Sequence, residues 1–175
     1  MGIWESVRRD FPITRSFTYL DHASAAPVPR PVREAALRYW DELGRSSDFS
    51  WNRWMSRREE VRQKVARLIQ ADPDEIAFTT STSHGMNLVA ELIALEGEVL
   101  TNTLEFPATT VPWIHRRSRL KFLSPERGIL TPERIEQHLT RRTRTILTSF
   151  VQYQNGFRQN LEAVGAVKGK RFFVV

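Results

Sequence analysis

Apolar positions along this chain change their spacing after about residue 75. Before that point they recur with the period of a helix. Val32, Ala36, Tyr39 and Leu43 follow Pro31, a residue suited to a first helical turn, and Gly44 closes the run. The polar segment Arg45 to Ser50 then reads as a loop. From Trp51 onward, Trp54, Met55, Val61, Val65 and Leu68 mark one face of a second helix, while Glu60 and Lys64 are spaced to pair on the other. Upstream, residues 1–18 form a lead-in anchored by Trp4, Val7 and Phe11. The stretch TYLDHASAAPVPRPV from Thr18 cannot be a helix interior, because Pro27, Pro29 and Pro31 remove donors and restrict the residues before them. It reads as an extended loop. Asp72 with Pro73 starts a single turn.

Beyond that turn, short apolar runs alternate with helical stretches. Ile76 to Thr79, Val99 to Thr101, Leu120 to Leu123, Thr145 to Val151 and Arg171 to Val175 have strand character. Between them lie helical patterns around Asn87 to Leu95, from Val111 to Arg117 with Pro112 in its first turn, after Thr131-Pro132-Glu133, and through Leu161, Val164 and Val167. This alternation predicts the α/β class, a mostly parallel sheet covered by helices. In such sheets ligands bind beyond the carboxyl ends of the strands, so the polar loops after Thr79, Thr101 and Val151 are expected to gather on one rim. The strand pattern at Phe172 to Val175 has no turn after it, which predicts the N-terminal part of a longer polypeptide.

One stretch carries more polar chemistry than its neighbours. In IAFTTSTSHGMNLVA, Ile76 to Ala90, an apolar run stops at small and polar residues and then passes Gly85 into an apolar helical pattern. A helix start leaves its first N–H groups unpaired and carries partial positive charge. A hydroxyl-rich loop there suits either of two roles, a phosphate or carboxylate site or a Ser/Thr cap joining two core elements.

Composition narrows the partners. The hydrophobic fraction of 41% and charged fraction of 26% are those of an ordinary globular protein. MGIWESVRRDFP has no apolar signal core and no apolar run approaches a membrane span, so a cytoplasmic location without membrane partners is expected. With no cysteine, a disulfide, a thiolate metal site and a cysteine nucleophile are excluded within these residues, and the four histidines show no metal-ligand spacing. The net charge of +6 raises nucleic acid as a partner, but the arginines are scattered and no recognised binding module accompanies them.

Four motifs, in order along the chain, resemble the N-terminal part of the large domain of class V aminotransferase-type, pyridoxal-phosphate-dependent enzymes of fold type I. This superfamily includes cysteine desulfurases, isopenicillin N epimerase and kynureninase. The motifs are TYLDHASAAPVP from Thr18, EIAFTTSTSHGMNLVA from Glu75, LEFPATTVPW from Leu104 and TRTILTSFVQYQNGFR from Thr143. The resemblance implies a lead-in and substrate-side loop over residues 1–30, containing Asp21 and His22, and a partial cofactor-binding large domain over 31–175. It implies that Thr82, Ser83 and His84 bind the cofactor phosphate, that Phe106 stacks on the cofactor ring, and that Gln152 contacts the cofactor or substrate, with Tyr153 where many members carry Asn. Phe106 stands where desulfurases commonly have His, and EFPA is closer to kynureninase-like members.

The same resemblance implies an amino-acid substrate and a homodimer in the full-length protein. The family's Schiff-base lysine and its aspartate partner of the pyridine nitrogen fall outside these 175 residues, so no catalytic residue is assigned and the chain alone is expected not to catalyse. Lys64, Lys121, Lys168 and Lys170 match no family lysine motif. A non-catalytic α/β remnant serving as an interaction module is the alternative, and an Arg-rich nucleic-acid binder a lesser one.

Overall fold

A computed structural model describes residues 2–93, 97–167 and 173–174. The chain divides into two compact units, Met1–Ala77 and Phe78–Val175.

The first unit is helical. A short helix α1 (Ile3–Arg8) and a 3₁₀ turn, Pro12–Arg15, precede α2 (Arg30–Ser46) and α3 (Trp51–Ile69). Helix α2 runs past Gly44, where a stop was expected, and ends at Ser47 with φ 48°. An interior glycine costs a helix only about 1 kcal/mol, and Ser46 Oγ donates back to the Glu42 carbonyl at 2.8 Å. Glu42 also links the two long helices, accepting from Trp54 Nε1 at 3.3 Å and pairing with Arg53. The rings of Tyr39 and Trp54 meet edge-on at 5.1 Å. On α3, Glu60 pairs with Arg57 at 2.7 Å rather than with Lys64. A 3₁₀ turn, Pro73–Glu75, follows, closed by Asp72 N–H donating to Glu75 Oε2 at 2.9 Å.

The second unit holds the sheet. In order come α4 (Thr82–Ile93), β1 (Glu98–Asn102), α5 (Pro107–His115), β2 (Arg119–Leu123), α6 (Pro132–His138), β3 (Thr143–Ile146), α7 (Leu161–Ala166) and β4 (Phe173–Val174). The strands lie in the order β2-β1-β3-β4 and every pairing is parallel. The α/β class and the parallel sheet are therefore as the residue pattern predicts. Adjacent residues of a strand face opposite sides, which sorts the core into two clusters. Leu100, Leu123, Leu130, Ile135, Ile146 and Val164 pack on one side, under α6 and α7. Val99 and Leu147 pack with Ala90 and Trp113 on the other, under α4 and α5.

Several boundaries differ from the sequence reading. Ile76 to Thr79 forms no strand, and the Ile76 carbonyl is taken by the Arg62 guanidinium instead of a ladder. An apolar run becomes a strand only where a neighbour pairs with it. Helix α5 begins at Pro107, not Val111. Pro107 occupies the first turn, and Pro112 is tolerated inside the helix, buried against the core. Strand β3 begins at Thr143 and ends at Ile146, although Leu147 N–H still donates to the Leu100 carbonyl at 2.9 Å. Of the expected strand Arg171 to Val175, only 173–174 lies within the described residues. Among the described residues no helix is long and apolar enough to cross a membrane.

Candidate functional site

The carboxyl ends of β1 and β3 run side by side, and the loops that leave them are joined by a buried carboxylate. Strand β1 ends at Asn102, whose Oδ1 accepts from Leu104 N–H at 2.8 Å and turns the chain at once. Three residues on, Glu105 is only 7% exposed. Its Oε1 accepts from Asn102 Nδ2 at 2.8 Å, from the Ser149 N–H at 2.8 Å and from Gln152 Nε2 at 2.5 Å. Its Oε2 accepts from Ser149 Oγ at 2.5 Å. A buried charge is tolerated only when its lone pairs are met, and here four donors meet them.

The loop after β3 is itself a hairpin. Gln152 N–H donates to the Phe157 carbonyl at 2.9 Å, and Gln159 N–H to the Phe150 carbonyl at 2.8 Å. Gly156, at φ 71°, supplies the left-handed residue this turn needs, and its N–H returns to the Gln152 carbonyl at 2.8 Å. Asn155 secures the hairpin from outside, accepting from Phe157 N–H at 2.9 Å and donating to the Gly128 carbonyl at 2.7 Å. Phe106 and Tyr153, the residues following Glu105 and Gln152, face each other edge to face with centroids 5.1 Å apart. Each ring is half exposed.

The start of α4 has a different character. Ser81 caps it: Ser81 Oγ accepts from His84 N–H at 3.1 Å, and the Ser81 carbonyl accepts from Gly85 N–H at 3.1 Å. His84 Nδ1 lies 3.4 Å from the Thr80 N–H and 3.1 Å from its hydroxyl. With an N–H aimed at it, Nδ1 is the acceptor and the ring proton falls on Nε2. The N–H groups and hydroxyls of Thr82 and Ser83 meet no acceptor among the described residues, and both residues are exposed. Two backbone donors, two hydroxyls and the positive end of a 12-residue helix thus lie open to an anion.

Of the residues singled out from the sequence, Phe106 and Gln152 are brought together through Glu105. Thr82, Ser83 and His84 are on α4, which packs against β1 and α5 through Ala90, Val99 and Trp113. Among the described residues no hydrogen bond joins Thr82–His84 to the Glu105 cluster. Asp21 and His22 belong to the first unit, where Tyr19 stacks edge-on against His22 at 5.3 Å and donates from its hydroxyl to the Asp21 carbonyl at 2.9 Å. Lys64 lies in α3, and Lys121 in β2 donates to the His138 carbonyl at 3.0 Å. Lys168 and Lys170 lie outside the described residues. Among the described residues no group of three His, Cys, Asp or Glu is placed to hold a metal ion.

Glu105, Asn102 and Ser149 were not anticipated as a unit. The available signal was small: a single acid between Leu104 and Phe106, directly after a buried strand, where an unpaired charge would be costly.

Comparison with known proteins adds to this geometry. The model of the aminotransferase class-V family matches residues 18–175. A probable cysteine desulfurase of Methanothermobacter thermautotrophicus is 32% identical over 173 residues, covering 93% of this chain and 43% of the relative. The uncharacterized aminotransferase YcbU of Bacillus subtilis is 28% identical, over 97% of this chain and 47% of the relative. This chain therefore spans a little under half the length of both. Among solved structures, the apo cysteine desulfurase of Thermococcus onnurineus superposes with a TM-score of 0.81 at 26% identity, covering 99% of this chain and 47% of that one. The cysteine desulfurase CsdA of Escherichia coli shares the fold, with a TM-score of 0.82 at 22% identity.

Proposed function

Because the chain belongs to the class V aminotransferase family, whose members use pyridoxal phosphate, we propose that its Phe78–Val175 unit is the phosphate- and ring-holding part of an enzyme acting on an amino acid. The observation that carries this reading is the start of α4, with its unspent donors on Thr82 and Ser83. A phosphate dianion calls for both N–H donors and hydroxyls, and these residues supply both.

In this reading Thr82 and Ser83 hold the phosphate through backbone and hydroxyl, with His84 Nε2–H as a further donor. Phe106 covers the ring, and Gln152, buried and bonded to Glu105, supports the hairpin beside it rather than facing the ligand directly. When bound, pyridoxal phosphate supplies an electron sink for bonds at the substrate's α-carbon. Phe106 has no proton to give, so it shields and orients, while proton transfer falls to groups other than this ring. Of the described lysines, Lys121 in β2 donates to the His138 carbonyl and Lys64 lies in α3, and neither matches a family lysine motif. A homodimer completes the proposal, supported by the exposed Leu37 and Trp40 on α2.

Titration of the chain with pyridoxal phosphate, followed by absorbance, tests this reading. Binding is expected to be saturable and displaced by inorganic phosphate, and pyridoxal lacking the phosphate is expected to bind far more weakly. Equal binding of pyridoxal and its phosphate would remove the α4 cradle from the proposal. Saturable binding of neither would return the chain to an interaction module that keeps the fold without the chemistry.

A further inference from the structure

We infer that Glu105 is a positioning residue: its buried carboxylate locks the loop after β1 to the hairpin after β3 and so sets the Phe106–Tyr153 ring pair that walls the cofactor site. The functional part of this inference rests on the reading above; the geometric part stands without it.

The first support is the distribution of donors. Glu105 Oε1 takes three, from residues 3, 44 and 47 positions away in the chain. Asn102 marks the end of β1, Ser149 the exit from β3 and Gln152 the first arm of the hairpin. One oxygen therefore ties the turn that ends β1 to two points of the loop leaving β3, and Oε2 repeats the tie to Ser149 through its hydroxyl at 2.5 Å. The second support is adjacency. Phe106 and Tyr153 follow Glu105 and Gln152 directly, so fixing those two backbones fixes the origins of both rings. Each ring is half exposed and lies in edge-to-face contact with the other. Rings with so little burial are not held by packing alone.

The carboxylate also orients the Gln152 amide. A carboxylate oxygen repels an amide oxygen and accepts from an amide nitrogen, so Nε2 must face Glu105. That leaves Gln152 Oε1 on the far side, buried and without a donor among the described residues. The buried, hydrogen-bonded parts of the cluster lie beneath; the two rings are what it presents to solvent.

The test reads Tyr153 directly. The chain has three tyrosines, so selective ¹³C labelling of tyrosine rings gives a short spectrum in which Tyr153→Phe identifies the Tyr153 signal. Phe106→Leu gives the position of that signal when the ring pair is broken. Glu105→Asp keeps the charge but shortens its reach by one methylene; the Tyr153 signal is expected to move toward its Phe106→Leu position, with Tyr19 and Tyr39 unmoved. Glu105→Gln is expected to retain the wild-type signal, since its oxygen can still accept at the three-donor position and Ser149 Oγ can accept from the new amide. Glu105→Leu, which removes every acceptor, is expected to lose the signature altogether, and where that variant does not fold Glu105→Asp decides. A wild-type Tyr153 signal in Glu105→Asp would overturn the inference.

The same variants are titrated with pyridoxal phosphate and with inorganic phosphate. Glu105→Asp is expected to lose most of the preference for pyridoxal phosphate over phosphate while phosphate affinity stays within about twofold of wild type. Equal losses for both ligands would mean a general structural role and overturn the positioning claim. If wild-type chain binds neither ligand, the cofactor reading falls, and the tyrosine spectrum alone still decides whether Glu105 sets the ring pair.

Discussion

Ser81 and Ser83 are two residues apart, both exposed, and the structure gives them opposite tasks. Ser81 Oγ is already committed, accepting from His84 N–H at 3.1 Å as the cap of α4. The Ser83 hydroxyl meets no partner among the described residues, while the Ser83 carbonyl accepts from Asn87 Nδ2 at 2.8 Å within the helix. Replacing each by alanine therefore separates stability from binding. Ser81→Ala removes a cap, worth about 1 kcal/mol, so local opening of the first turns of α4 should become roughly fivefold more frequent. Ser83→Ala removes one charge-assisted hydrogen bond to a bound phosphate, about 1.5–3 kcal/mol, which is on the order of 10- to 150-fold in affinity.

Two measurements read the two effects. Amide hydrogen exchange over Gly85 to Ala90 reports opening of α4, and titration with pyridoxal phosphate and with inorganic phosphate reports binding. Ser81→Ala should speed exchange and weaken phosphate only through the fraction of open helix. Ser83→Ala should leave exchange at the wild-type rate and weaken both ligands by the same factor, since the loss is at the phosphate they share. If Ser83→Ala leaves phosphate affinity unchanged, the hydroxyl-rich loop is only a cap and the cradle argument fails. A larger affinity loss in Ser81→Ala than in Ser83→Ala would refute the division of labour as well.

Two further predictions concern the frame around the site. Gly97 sits at φ 136°, and a Cβ there would lie 2.5 Å from the Arg142 carbonyl, the same oxygen that accepts from Glu98 N–H at 2.8 Å to start the β1–β3 pairing. Gly97→Ala should cost at least about 1–3 kcal/mol through backbone strain, and a denaturation midpoint equal to wild type would refute this. Glu133, in the first turn of α6, has its carboxyl held below the usual range by its own backbone N–H and then by the Thr131 hydroxyl. A depressed folded-state value adds stability that is full above the usual carboxylate range and is lost as pH falls through the folded value. NMR titration should show Glu133 protonating at lower pH than a glutamate side chain in a short unstructured peptide, and an equal or higher value would refute the helix-start contact.

What could be read from the chain beforehand followed from how far apart the cooperating residues are. The cap of α6 is contained in Thr131-Pro132-Glu133, and Thr131 Oγ1 indeed accepts from Arg134 N–H at 3.2 Å. The α4 start is likewise local: hydroxyls and helix lie within a few residues, and the pattern of IAFTTSTSHGMNLVA announces both. The strand at Ile76 failed for the complementary reason. Its apolar run is locally strand-like, but whether it pairs depends on what lies beside it, and its carbonyl goes to Arg62, 14 residues earlier. The sequence leaves the start of helix α5 open because two prolines, Pro107 and Pro112, both satisfy the first-turn rule, and only the extended Phe106 before Pro107 shows which one opens the helix.

The Glu105 cluster is the extreme case of that dependence. A parallel sheet brings the carboxyl ends of β1 and β3 side by side whatever the residues between them, so residues 44 and 47 positions apart become neighbours. No periodicity signals such a meeting. What the chain does show is a lone acid in an apolar motif directly after a buried strand, and the cost of burying that charge unpaired implies donors somewhere. Topology then limits where they come from, since β1 lies between β2 and β3 and the loops leaving those two parallel strands reach the same rim. The cradle and the ring wall are thus different kinds of site. One is written in consecutive residues and can be lost by changing one of them. The other exists only once the sheet has formed, so a variant expected to loosen β1 against β3, such as Gly97→Ala, should disturb Tyr153 without touching Ser83.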